Sequence, residues 1–120
     1  MRLIISSLFV AMLATHSMPA EAVDLNVSLE GLCETVSSDD KSRFRKKLKD
    51  SNVKLRQIFD KVYCGEYNLL QFAIKSEAIQ TGSYMVKRMP KSYFEAGVDL
   101  SWAKSNGFDS SPILVTIENR

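Results

Sequence analysis

Residues 1–22, MRLIISSLFVAMLATHSMPAEA, begin with one positive charge at Arg2 and run apolar from Leu3 to Thr15 before Ala20-Glu21-Ala22. A basic start, a short apolar stretch and small residues spaced as A-x-A predict a secretory signal peptide, cleaved between Ala22 and Val23. The apolar run is short for a membrane anchor. From Val23 the pattern changes. Residues 23–27 alternate apolar and polar, as a short extended arm would. Ser28 is a candidate N-cap, and Leu29, Leu32, Cys33 and Val36 then recur on one face of a short helix. Glu30 and Glu34 fall on its far side, spaced as a solvated pair.

Ser37-Ser38-Asp39-Asp40 reads as a turn and a helix start, with acidic residues suited to the positive end of the next helix. That helix, about 40–50, has only Phe44 and Leu48 on its apolar stripe. Lys41, Arg43, Arg45, Lys46, Lys47 and Lys49 cover most of the rest, so it lies on the surface with two anchors. Asp50-Ser51-Asn52 breaks it. Leu55, Ile58, Phe59 and Val62 resume helical spacing before Tyr63-Cys64-Gly65 turns the chain. Asn68 with Gln71 predicts a capping box. Leu69, Leu70, Phe72, Ala73 and Ile74 then leave a narrow polar strip, the mark of a central helix. A last helix, about 78–89, places Ile79, Gly82, Val86 and Met89 on one side and stops at Pro90. Glycine in mid-helix costs up to about 1 kcal/mol relative to alanine, so Gly82 predicts close approach of a neighbour.

A weak repeat runs through this region. Leu32-x-x-Thr35-Val36 aligns with Leu70-x-x-Ala73-Ile74, and Leu48 with Val86, displaced by 38 residues. Each copy is a short helix, a polar turn and a second helix, which is similar to the helix pair of ankyrin repeats. There a Thr-Pro-Leu-His-x-Ala stretch opens the first helix; here Asn68-Leu69-Leu70-Gln71-Phe72-Ala73 takes that place without the Pro or His. Two copies are fewer than a solenoid usually needs.

Beyond Pro90 the pattern loosens. Tyr93, Phe94, Trp102 and Phe108 either cover the open end of the helical core or form an exposed aromatic contact site. Ile113-Leu114-Val115-Thr116-Ile117 is β-prone and is expected to pair with the 23–27 arm or to stay mobile. The expected organisation is a signal peptide (1–22), a helical two-cysteine domain (23–90) and an irregular C-terminal extension (91–120). The fold class is mainly all-α: two ankyrin-like helix-turn-helix pairs, stapled by a disulfide, with a less regular C-terminal segment.

Composition narrows the chemistry. With 45% hydrophobic and 25% charged residues the chain is of ordinary globular type. A formal charge of +2 is too small to argue for nucleic acid as partner, and export argues further against it. No second apolar run predicts a transmembrane span after signal cleavage. Cleavage removes His16, the one histidine, and with it any Ser-His-Asp or Cys-His site. Two cysteines without histidine make a poor zinc site, so no metal or cofactor is expected. Cys33 and Cys64 are an even pair bound for an oxidising compartment. That favours a structural disulfide over a redox pair, for which the spacing lacks the C-x-x-C form.

Leu32-Cys33, the basic stretch with Phe44 and Leu48, Val53-Lys54-Leu55-Arg56, and Cys64 spaced before Phe72-Ala73 together resemble domain-of-unknown-function family 3718. The likeness spans about residues 30–88. It implies a small exported protein of the gamma-proteobacterial type, located in the periplasm, with Cys33 and Cys64 paired; it brings no catalytic residues, because the family has no assigned activity. The family pattern has Cys-Asn-Gly at the second cysteine where this chain has Cys64-Gly65-Glu66, so the turn there departs from it.

Three functions compete. The first is a non-catalytic periplasmic module that binds an unknown protein partner, with Tyr93, Phe94, Trp102 and Phe108 as its contact. The second is adhesion to an anionic envelope surface, lipid or lipopolysaccharide, through the basic helix 41–56, with Arg43, Arg45, Lys46, Lys47 and Lys49 as the surface. Nine basic residues stand between 41 and 61 against Asp50 and Asp60, although such a run is often only a solvated face. The third, an enzyme using carboxylates or tyrosine, is disfavoured because no acid–base constellation is visible.

Overall fold

The computed structural model describes Leu29 and residues 31–120; the expected signal segment, its expected cleavage site at Ala22 and Val23, the expected 23–27 arm, Ser28 and Glu30 lie outside the described residues. In chain order the elements are α1 (Leu32–Ser37), α2 (Lys41–Asp50), α3 (Leu55–Ile58), β1 (Tyr63–Cys64), β2 (Tyr67–Asn68), α4 (Leu69–Lys75), α5 (Ile79–Arg88), a 3-10 turn (Lys91–Phe94), α6 (Val98–Ser105) and α7 (Pro112–Glu118). The protein is therefore mostly helical, as its periodicity predicted.

The two helix pairs are α1–α2 and α4–α5, and they match turn for turn. Ser38, Asp39 and Asp40 donate their amides to the carbonyls of Glu34, Val36 and Thr35; Ser76, Glu77 and Ala78 do the same to Phe72, Ile74 and Ala73. Asp39 and Glu77, at the same place in each turn, both adopt the left-handed conformation, with φ of 52° and 55°. The repeat seen faintly in the side chains is thus carried in full by the backbone. A third pair, α6–α7, ends its first helix with the same pattern, Asn106, Gly107 and Phe108 donating to Trp102, Lys104 and Ala103. Its second helix starts only after a longer loop.

α4 is the centre. It packs against α1, α5, α6 and both strands, and Leu69, Leu70, Ala73 and Ile74 are fully buried. The predicted capping box is present, with Gln71 N–H donating to the Asn68 side chain at 2.7 Å and Asn68 N–H to Gln71 Oε1 at 3.1 Å. The Cys33–Cys64 disulfide is formed, Cα–Cα 5.7 Å, and ties α1 to the hairpin that feeds α4. Closing a loop of 31 residues contributes about 3–4 kcal/mol on the chain-entropy model.

Several local expectations change. α1 begins at Leu32 behind Gly31, whose φ of 80° makes a turn, so Leu29 packs in the core from outside the helix. The helix expected through Val62 is a single turn, α3, after which Phe59 and Val62 still reach the core. The turn after Cys64 is a two-residue hairpin loop at Gly65-Glu66, joining antiparallel strands paired Tyr63 with Asn68 and Cys64 with Tyr67. Ile79, expected on the packed side of α5, is 43% exposed; Thr81, Gly82, Met85 and Val86 form the buried face instead.

The largest correction concerns 113–117. The β-prone run is helical, as α7, with Ile113, Leu114 and Ile117 buried. Ser111 caps it and Pro112 occupies its first turn, where a missing N–H costs nothing. Packing on α5 overrides the β-branched preference. Gly82 permits this contact: a Cβ there would lie 2.5 Å from Ile113 Cδ1 and 3.2 Å from Ala73 Cβ. Segment 91–120 accordingly adds Ala103, Ile113, Leu114 and Ile117 to the one core. Arg120 closes the C-terminus by donating to the Met89 carbonyl at 2.8 Å.

Candidate functional site: a basic groove beside an Arg–Tyr–Arg cluster

The surface helix α2 buries Phe44 and Leu48 and turns its charges outward, as its two-anchor pattern required. Asp40 caps its N-terminus, accepting from Arg43 N–H at 3.1 Å, and Lys47 and Lys49 stand in its last turn, where cations offset the exposed carbonyls. Against its flank run the start of α3 and the end of α5. Between them lies an open groove of about 700 Å³, lined by Arg45, Lys46, Lys49, Lys54, Arg56 and Arg88 together with Ser42, Leu48, Val53, Leu55 and Tyr84. No carboxylate is among these lining residues. Lys46 pairs with Asp50 at 2.8 Å, an exposed i, i+4 pair of the kind worth only a few tenths of a kcal/mol.

At one wall Tyr84 organises the cations. Its ring meets the buried Phe44 edge-on, centroids 6.1 Å apart. The guanidinium carbons of Arg45 and Arg88 lie 5.5 Å and 5.4 Å from its centroid, within the range of cation–π attraction. Three of the five basic residues expected from the sequence, Arg45, Lys46 and Lys49, therefore line the groove. Arg43 and Lys47 do not line it; the Lys47 amine instead approaches Gly31. Tyr84 and Arg88 were missed, because α5 carries no charge run to flag them and only its packing beside α2 brings them here.

The four late aromatics do not form one patch. Their ring contacts fall into two groups: Phe59–Tyr93–Phe94, and Tyr67–Trp102–Phe108 with Lys75 4.5 Å above the Tyr67 ring. All four of the residues flagged in the sequence are partly buried against the core. Tyr93 of the first group donates its Oη at 2.8 Å to Asp99, a carboxylate only 3% exposed, which also accepts from Asn68 Nδ2 at 3.1 Å. Burial, together with this neighbouring carboxylate, pushes the Tyr93 phenol well above its ordinary pKa, so it stays a proton donor. The same Asn68 that caps α4 thus anchors α6.

The model of the family described as protein of unknown function (DUF3718) matches residues 32–96. The chain belongs to that family. The matched span runs from the start of α1 to just past the 3-10 turn, so it contains both cysteines, both helix pairs and the whole basic groove. α6 and α7 lie beyond it. No curated protein and no solved structure matches the chain, so the ankyrin-like reading of the pairs rests on their sequence pattern alone. Among the described residues no group of three or more His, Cys, Asp or Glu could hold a metal ion, and no helix is long and apolar enough to cross a membrane.

Proposed function

We propose that this DUF3718 protein is an exported, non-catalytic binding module that holds to an anionic surface of the cell envelope through its basic groove. The observation that carries this reading is the convergence of six cationic side chains from α2, α5 and the stretch around α3 on one groove with no carboxylate in its lining. Clustered charge of one sign raises the local potential and draws counter-charges by a salt-sensitive force. Export is supported by the signal-like residues 1–22 and is compatible with the disulfide, which belongs to oxidising compartments. The aromatic alternative has less support, since the rings are packed into the core and one of them is committed to Asp99.

Sedimentation with phosphatidylglycerol vesicles at low salt tests the proposal. The protein is expected to co-sediment, to be released by 0.5 M salt, and not to bind phosphatidylcholine vesicles. Replacing Arg45, Lys49 and Arg56 by Glu, all exposed positions, is expected to abolish binding while the thermal unfolding curve stays close to that of the parent. Equal binding by the triple variant rejects the groove as the attachment surface.

A further inference from the structure

Within the groove, two arginines differ from the remaining cations. Arg45 and Arg88 share one aromatic ring, and that ring is itself held edge-on by the fully buried Phe44. A long basic side chain normally gives up rotamer freedom when it orders around a ligand. Cation–π contact with Tyr84 restricts that freedom in advance, because it already holds both guanidinium groups near the ring. The forks are also unclaimed: among the described residues neither arginine hydrogen-bonds or ion-pairs with a protein group, and neither does the Tyr84 hydroxyl hydrogen-bond. The wall therefore offers two planar donor forks and a phenol beside Lys49, Lys54 and Arg56.

We infer that Arg45, Tyr84 and Arg88 form a phosphate-monoester site, which takes the terminal phosphate of an envelope lipid headgroup by bidentate guanidinium contacts. This rests on the reading of the groove as an anionic-surface contact and gives it a chemical specificity. The choice of phosphate follows from donor count and shape. A carboxylate is planar, has two oxygens and is satisfied by one fork. A tetrahedral phosphate monoester carries three terminal oxygens that do not lie in one plane with phosphorus, so it can accept from two forks at once. Lysines supply charge to the same groove but no fork, so the arginines set which anion is preferred and the lysines set how strongly any anion is attracted.

The test separates charge from geometry with Arg45→Lys and Arg88→Lys, which keep the charge, and Tyr84→Leu, which removes the shared ring. Vesicles carrying phosphatidic acid and vesicles carrying oleate are matched for surface charge, and binding is measured at one ionic strength. The parent is expected to prefer the phosphate vesicles about tenfold. Each variant is expected to lose most of that preference while still binding both vesicles. Glycerol 3-phosphate is expected to compete more strongly than acetate and to shift the Arg45 and Arg88 Nε–H resonances in the parent. An unchanged preference in the lysine variants overturns the phosphate site and leaves the groove reading standing. Absence of binding to either vesicle overturns both. Saturable binding of glycerol 3-phosphate without any preference between the vesicles overturns the lipid headgroup as the source.

Discussion

The two helix pairs share one backbone and carry opposite surfaces. α2 buries Phe44 and Leu48 and spends nearly every other position on charge. α5, at the same place in the second pair, buries Thr81, Gly82, Met85 and Val86 and is covered by α7. Phe44 fills the core from its pair, whereas its counterpart Gly82 makes room for Ile113. The turns differ in the same way. Asp39 and Glu77 have the same left-handed backbone, but only the Asp39 carboxylate reaches another helix, accepting from Thr81 N–H at 2.8 Å and Gln80 N–H at 3.3 Å. It thereby caps α5, whose own N-cap residue Ala78 supplies no side-chain acceptor. A duplicated helix pair need not duplicate a role: one copy supplies a charged outer face, and the other is the inner layer on which that face rests.

The comparison can be broken at three depths. Phe44→Ala is expected to cost about 4 kcal/mol, in line with emptying a fully buried aromatic site, and to weaken vesicle binding by freeing the Tyr84 ring. Denaturant unfolding measures the first and sedimentation the second. A loss below about 1 kcal/mol would mean that α2 is held by something other than its anchors.

Asp39→Ala is expected to cost about 2 kcal/mol, from the lost cap and from alanine's poorer fit to positive φ. Glu77→Ala, at the equivalent position, is expected to change stability by less than about 0.5 kcal/mol, as for a surface site. Equal effects in thermal or denaturant unfolding would erase the asymmetry between the turns. The smallest change is Gly82→Ala. Alanine is the better helix former by about 1 kcal/mol, yet its Cβ meets Ile113 and Ala73 in the core. Overpacking of this kind costs about 1–3 kcal/mol, so a net loss of about 1 kcal/mol is expected. A stabilised variant would show that Ile113 swings aside freely.

Legibility followed the range of the interaction. The α2 anchors, the Asn68–Gln71 box and the need for a close neighbour at Gly82 were readable because each depends on residues within one or two turns. α7 was misread for a related reason: Ser111-Pro112 signals a helix start, but the β-branched residues after it point the other way. Contact with α5 decides between them. Ile79 was placed on the packed face, but the buried stripe of α5 runs through Thr81, Gly82, Met85 and Val86 and leaves Ile79 43% exposed.

By itself the sequence determined a mostly helical chain, two helix pairs offset by 38 residues, a cysteine pair able to close, and an excess of positive charge between 41 and 61. These depend on local periodicity, composition and parity, which a linear chain displays directly. Only the tertiary structure decided that α2, α3 and α5 meet around Tyr84. It alone separated the four late aromatics into two groups, tied Tyr93 to a buried Asp99, and let Asp39 cap a helix 41 residues away. Those arrangements join side chains that are distant in sequence, and packing of the shared core is what sets their distances.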